Sequence, residues 1–99
     1  VATSKGKKVR IKALGDIRGV RADELRANLR TAVEQGARNV ILDLSKVQMI
    51  DQTGLGVLVA ARNSLHRSGG QISVTNPAGD VDELLRTLRI HHHFGLGGD

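Results

Sequence analysis

The chain has 99 residues, of which 39% are hydrophobic and 25% charged, with a formal net charge of +5. That length carries one domain around one modest core; no apolar run approaches the ~18 residues of a membrane span, and no signal-peptide pattern opens the sequence. The absence of cysteine excludes disulfides, thiol nucleophiles and thiolate metal sites and fits a reducing compartment, while a lone aromatic, Phe94, closes off recognition by aromatic stacking.

The positive excess is local. Lys5, Lys7, Lys8, Arg10 and Lys12 all precede the first acid, and beyond residue 12 basic and acidic residues balance. Residues 1–8 therefore read as a flexible basic arm, solvated in preference to bound to nucleic acid or a membrane surface. The first residue is Val1 and not Met, which points to a cut from a longer polypeptide.

Val9 to Leu14 alternates apolar and polar residues, the period of a half-buried strand. Gly15-Asp16 predicts a turn, and Ile17 to Val20 a second short strand that completes a hairpin. Asp23 and Glu24 open a helix where acids meet the positive end of its dipole. Leu25, Leu29, Ala32 and Val33 form its inner face, and Gly36 stops it. Asn39 to Leu44 is a continuous apolar run and predicts a central strand buried on both faces.

A loop over 45–52 leads to a helix from about Thr53 to Arg67, with Leu55, Leu58, Val59 and Leu65 inward and Gly69-Gly70 at its end. Gln71 to Thr75 alternates as another strand, and Asn76-Pro77 is a turn. Asp80 and Glu83 have capping-box spacing ahead of a third helix striped by Val81, Leu84, Leu85 and Leu88. A short element over 90–94 and a glycine-rich tail over 95–99 complete the chain. Strands interleaved with helices imply an α/β layer with right-handed crossovers.

The chemistry concentrates between Asp43 and Gly56. A strand ends at Asp43-Leu44, and a loop carries Asp51 and Thr53 to the start of a helix whose first turn holds Gly54 and Gly56. Each glycine costs the helix roughly 1 kcal/mol relative to alanine, so two of them in one turn mark a place where another backbone or a phosphate comes close. The Thr53 hydroxyl is placed to cap the amide of Leu55 or Gly56. The same position suits a phosphate, which would add about −1.5 to −2 charges two residues from Asp51. On spacing alone, a plain N-cap with packing glycines is the favoured account of the pattern.

Asp43-Leu-Ser, Ile50-Asp-Gln-Thr-Gly-Leu-Gly56, Gly69-Gly70, Asn76-Pro77 and the leucine-striped helix together resemble a STAS domain, and within that family the bacterial anti-sigma factor antagonists. The resemblance covers residues 9–94 as one domain. It implies a four- or five-stranded mixed sheet covered by roughly three to four helices. It also implies a cytoplasmic, non-enzymatic role in which the domain binds an anti-sigma factor that is itself a serine/threonine kinase and so releases the sigma factor. Carried onto this sequence, Thr53 is the phosphoacceptor. Asp51, Gln52, Gly54, Leu55, Gly56 and Asp16 are the partner-binding residues, and a serine/threonine phosphatase resets the switch. No cofactor, metal, nucleic acid or membrane is implied. Gln52 stands where many relatives carry a second hydroxyl residue, which favours an alternative: a constitutive adaptor subunit of a transporter or a stressosome-like scaffold.

Other groupings carry less. In a strand, His91 and His93 would share a face, but two histidines without a neighbouring carboxylate make a poor metal site. Gly54-x-Gly56 lacks the third glycine of a dinucleotide fingerprint and the Lys-Ser/Thr of a P-loop. Arg21, Arg26 and Arg30 predict a solvated helix face paired with Asp23 and Glu34.

Overall fold

In the computed structural model, which describes residues 7–96, three parallel strands lie in chain order, each joined to the next by a helix. Strand β1 is Lys7–Lys12, β2 is Ala37–Asp43 and β3 is Gln71–Thr75; α1 is Val20–Glu34, α2 is Gln52–Arg67 and α3 is Gly79–Thr87. A 3-10 turn over His91–Phe94 closes the chain. The sheet is thus three-stranded and wholly parallel among the described residues, smaller than the four or five mixed strands expected.

Both crossovers step in the same direction, so right-handedness places α1 and α2 together on one face, where they pack on each other. Register aligns Val9 with Val40 and Ile72 with Val40, then Ile11 with Leu42 and Val74 with Leu42. These six side chains form the floor under the helices. Leu25 and Leu29 of α1, Leu58 and Leu65 of α2, and Val81 and Leu85 of α3 close over it, with Phe94 sealing the end. Each such buried side chain contributes roughly 1.5–3 kcal/mol.

The opposite face of the sheet carries Lys8, Arg10 and Lys12 on β1 and only half-buried residues (Asn39, Ile41, Asp43) on β2. The expectation that the central strand is buried on both faces is therefore corrected. Val40 and Leu42 are sealed beneath the helices, and Ile41 between them is not. Isoleucine and valine in a run declare a strand, but not whether its second face is covered.

Several boundaries move for identifiable reasons. Strand β1 opens at Lys7, inside the expected arm; residues 1–6 and 97–99 lie outside the described residues. The expected hairpin is absent. Ile17 instead makes an isolated parallel bridge to Ile50, and Val20 already belongs to α1. Gly19, at φ 54°, turns the chain directly into that helix without a side-chain cap. Ala78 takes the N-cap position of α3, and no side chain caps it, so Asp80 and Glu83 do not form a capping box. Within the inner faces, Val57 is buried where Val59 was expected, and Leu88 is exposed. His91–Phe94 is a 3-10 turn and not a strand; His91 and Phe94 point inward while His92 and His93 are exposed. Of the predicted arginine pairs only Arg26 with Asp23 is made, at 3.6 Å and well exposed, a contact of small energetic consequence.

The end of β2 carries a charge with a measurable signature. The Asp43 carboxylate accepts the Ser45 amide at 2.9 Å. This bond, with help from the Ser45 and Asn76 side chains, holds its pKa below the ordinary value. Because the folded value is depressed, the unfolded chain takes up the proton first as the pH falls. Asp43 therefore stabilises the fold above about pH 4 and loses that effect as the pH drops through its folded value. Urea midpoints measured from neutral to acidic pH should fall less steeply for Asp43→Asn than for the parent chain.

Candidate functional site

The C-terminal ends of β1 and β2 lead into two loops, 13–19 and 44–51, that are sewn together. The Ile17 amide donates to the Met49 carbonyl at 3.0 Å, and the Asp51 amide donates to the Ile17 carbonyl at 3.2 Å. Asp16 adds a side-chain clamp: its Oδ1 accepts the amides of Gln48 at 2.8 Å and Met49 at 3.1 Å. This fold therefore uses Asp16, named from sequence as a partner residue, to hold the loop that presents the site.

Helix α2 starts from that clamp. Asp51, in extended conformation, is its N-cap, and its Oδ1 accepts the Gly54 amide at 2.7 Å. This corrects the expectation that Thr53 caps the helix. Asp and Thr are both strong caps, and here Asp51 takes the role because its backbone is already fixed by Ile17. Thr53 becomes the second helical residue and is exposed, as is Gln52 before it. Their amides find no backbone acceptor among the described residues, so the positive end of α2 is open beside the Thr53 hydroxyl.

The two glycines separate in role. A Cβ on Gly54 would lie 2.2 Å from the Ile17 carbonyl oxygen and 2.8 Å from its Cγ2. The close backbone approach expected at this turn is thus made by the chain's own loop. Gly54 is buried and Leu55 packs partly against the core, so both support the turn from beneath. Gly56 is exposed, and a Cβ there would meet nothing within 4 Å. The outward surface of the motif is accordingly Gln52, Thr53 and Gly56, with Asp51 half-buried at its edge.

Three exposed apolar residues that sequence patterning does not single out stand at this end of the sheet, Leu14 (78% exposed) and Met49 (46%) on the loops and Val20 (71%) at the start of α1. A cleft of about 500 Å³ beside them is lined by Asp16, Arg18, Val20, Arg21, Lys46 and Gln48. Arg18 reaches the Met49 sulfur at 3.5 Å. The available signal was an apolar residue stranded among turn formers, as Leu14 is before Gly15-Asp16. The assembled surface offers exposed apolar contact, a basic rim and one accessible hydroxyl at a helix N-terminus. It is a surface at one end of the sheet of a small α/β domain.

Comparison with known proteins agrees. The family model described as STAS domain matches residues 4–97, and the chain belongs to that family. It is 31% identical over 71 residues to BtrV of Bordetella bronchiseptica, designated an anti-sigma factor antagonist, covering 72% of this chain and 61% of that protein. It is 30% identical over 74 residues to Sulfate transporter 3.1 of Arabidopsis thaliana, covering 74% of this chain and 11% of that protein. The chain thus spans about a tenth of the transporter's length and less than two thirds of BtrV's. Its fold matches the anti-sigma factor antagonist SpoIIAA in its unphosphorylated form with a TM-score of 0.77 at 18% identity, covering 93% of this chain and 82% of that one. The phosphorylated form of SpoIIAA matches with a TM-score of 0.67 at 16% identity, covering 100% of this chain and 88% of that one. The described residues contain no helix long and apolar enough to cross a membrane.

The site's construction is testable by substitution. Gly54→Ala should destabilise the chain by about 3 kcal/mol through overpacking against Ile17. Gly56→Ala, in open space, should leave stability unchanged or raise it by up to about 1 kcal/mol. Asp51→Ala should cost about 1 kcal/mol as a lost cap. Urea unfolding of the three variants measures all of these.

Proposed function

We infer that this domain is a non-enzymatic partner switch of the anti-sigma factor antagonist type, controlled by phosphorylation of Thr53 in the cytoplasm. Unphosphorylated, it binds an anti-sigma factor of the serine/threonine-kinase kind and so frees the sigma factor; a serine/threonine phosphatase restores the binding form. One observation carries this reading. Asp51 caps α2, and Thr53 is thereby left exposed at the second helical position beside unpaired amides. Similarity to BtrV and to SpoIIAA, the latter solved with and without phosphate, supports it.

The mechanism follows from charge. Gln52, Thr53 and Gly56 present a small, neutral patch, and Leu14, Val20 and Met49 offer apolar contact close by in the fold. The basic rim of Arg18, Arg21 and Lys46 attracts acidic groups of a partner. A phosphate on Thr53 sits favourably against the N-terminus of α2, so the fold tolerates it. The complex does not, because a docked partner strips water from a dianion beside Asp51. A loss of ~1.4 kcal/mol already costs tenfold in affinity.

A second reading rests on the similarity to a sulfate transporter and on Gln52: a constitutive adaptor domain of a larger protein or scaffold, with Thr53 serving contact alone. Incubation with a kinase-type anti-sigma factor from the same organism and ATP separates the two. The switch predicts one phosphate, located at Thr53 by mass spectrometry and lost in Thr53→Ala. It also predicts at least a tenfold weaker complex for Thr53→Asp, with unchanged thermal stability. An unmodified chain, or equal affinity of Thr53→Asp and the parent chain, assigns the domain to the adaptor class.

A further inference from the structure

The outer surface of the helix layer carries a groove of about 650 Å³ between α1 and α2. Leu29, Val33, Val57 and Ala61 make its apolar floor. Arg26, Arg30 and Arg67 line its rim, with Glu34 the single acid among them. Arg26 is shared with Asp23, whereas no carboxylate among the described residues lies within 4.0 Å of Arg30 or Arg67. Its lining suits an anionic, partly apolar occupant.

The chain itself bears such a helix. Asp80, Glu83, Leu84, Thr87 and Leu88 follow one another at helical spacing along one stripe of α3. Asp80 and Glu83 are exposed, Leu84 is half-buried and Leu88 is 44% exposed, while Val81 and Leu85 face the core. Asp82 and Arg86 neutralise each other at 3.0 Å away from that stripe. No cation among the described residues lies within 4.0 Å of Asp80 or Glu83. The dimensions agree as well: Asp80 to Leu88 runs about 12 Å and Val57 to Arg67 about 15 Å at 1.5 Å per residue.

We propose that the arginine-rimmed groove between α1 and α2 receives the Asp80/Glu83/Leu88 face of α3 from a second copy of the chain. The two surfaces are different parts of the molecule, since no α3 residue lines the groove. The contact is therefore head-to-tail and repeats beyond a dimer unless the rotation closes a ring. One helix in one groove is a small interface, so association is weak and sensitive to salt. Neither surface contains Thr53, and the switch described above stands or falls separately.

Sedimentation of the whole chain from micromolar to about millimolar concentration in low salt tests this directly. The average mass should rise with concentration and fall back on addition of salt. Arg30→Glu and Glu83→Arg should each weaken association at least tenfold while retaining the parent melting temperature, because both side chains are exposed. An equimolar mixture of the two variants should associate again, through the restored pair and through its charge-swapped counterpart. Amide shifts on dilution should fall together on the groove and on α3. A chain that stays monomeric throughout, or one whose association ignores both reversals, overturns the proposal; so does a mixture that fails to recover. A monomer whose groove amides respond only to an added acidic peptide unrelated to α3 also overturns it, by assigning the groove to a different protein.

Discussion

The carbonyl oxygen of Ile17 occupies the space that a side chain on Gly54 would need, and the site is organised around that contact. The same carbonyl accepts the Asp51 amide, and the amide of Ile17 bonds Met49. Asp51 is thereby fixed in the extended conformation an N-cap requires, and its carboxylate closes the first turn of α2. Asp16 draws in Gln48 and Met49 from the other side. A loop whose amides are satisfied within the chain has little freedom to rearrange. The consequence is a preformed surface at the start of α2.

How much of this was legible in the residues depends on the range of the interaction. The inner faces of α1 and α3 are written in local spacing, and Leu25, Leu29, Val81 and Leu85 are buried as that spacing requires. The alternation of β3 is equally local. The N-cap of α2 was not legible. Asp51 and Thr53 are both competent, and the choice between them is made by Ile17, which is distant in sequence. The same contact sets the rotation of α2, burying Val57 and turning Val59 outward. The lost hairpin has the same cause: Ile17 to Val20 has strand composition, but Asp16 and Ile17 find better partners in loop 44–51 than in β1. The motif marked the first turn of α2. Which of its residues look outward was decided by packing.

The two glycines show why a costly pattern is ambiguous until the fold is known. Both lower helix propensity by similar amounts. One is demanded by a backbone 2.2 Å from its absent Cβ, and the other is demanded by nothing among the described residues. A residue that weakens its own helix without an internal reason is a reason to look outside the chain, and Gly56 shares its exposed surface with Thr53 and Gln52. Gly54 belongs to the architecture of the turn, and Gly56, on the proposed switch, to the surface that meets a partner.

Under the switch proposed for Thr53, the energetic asymmetry of a phosphate at this turn follows from where water is. On the free domain the group stays solvated, and the open end of α2 contributes about 0.3–1 kcal/mol in its favour. Under a partner the same group loses its water and gains only what the interface supplies in cations and donors, against a desolvation cost of several kcal/mol. Arg18 and Lys46 on the loops and Arg21 in the first turn of α1 line the cleft at this end of the sheet, and on that proposal their positive field would draw a partner's acids, which a nearby dianion would partly cancel. On the proposed switch, modification would act twice on association, slowing encounter by reducing the positive field and loosening the complex by stranding a charge. It would leave the domain's own stability nearly untouched, because the cap of α2 is made by Asp51 and not by Thr53's side chain.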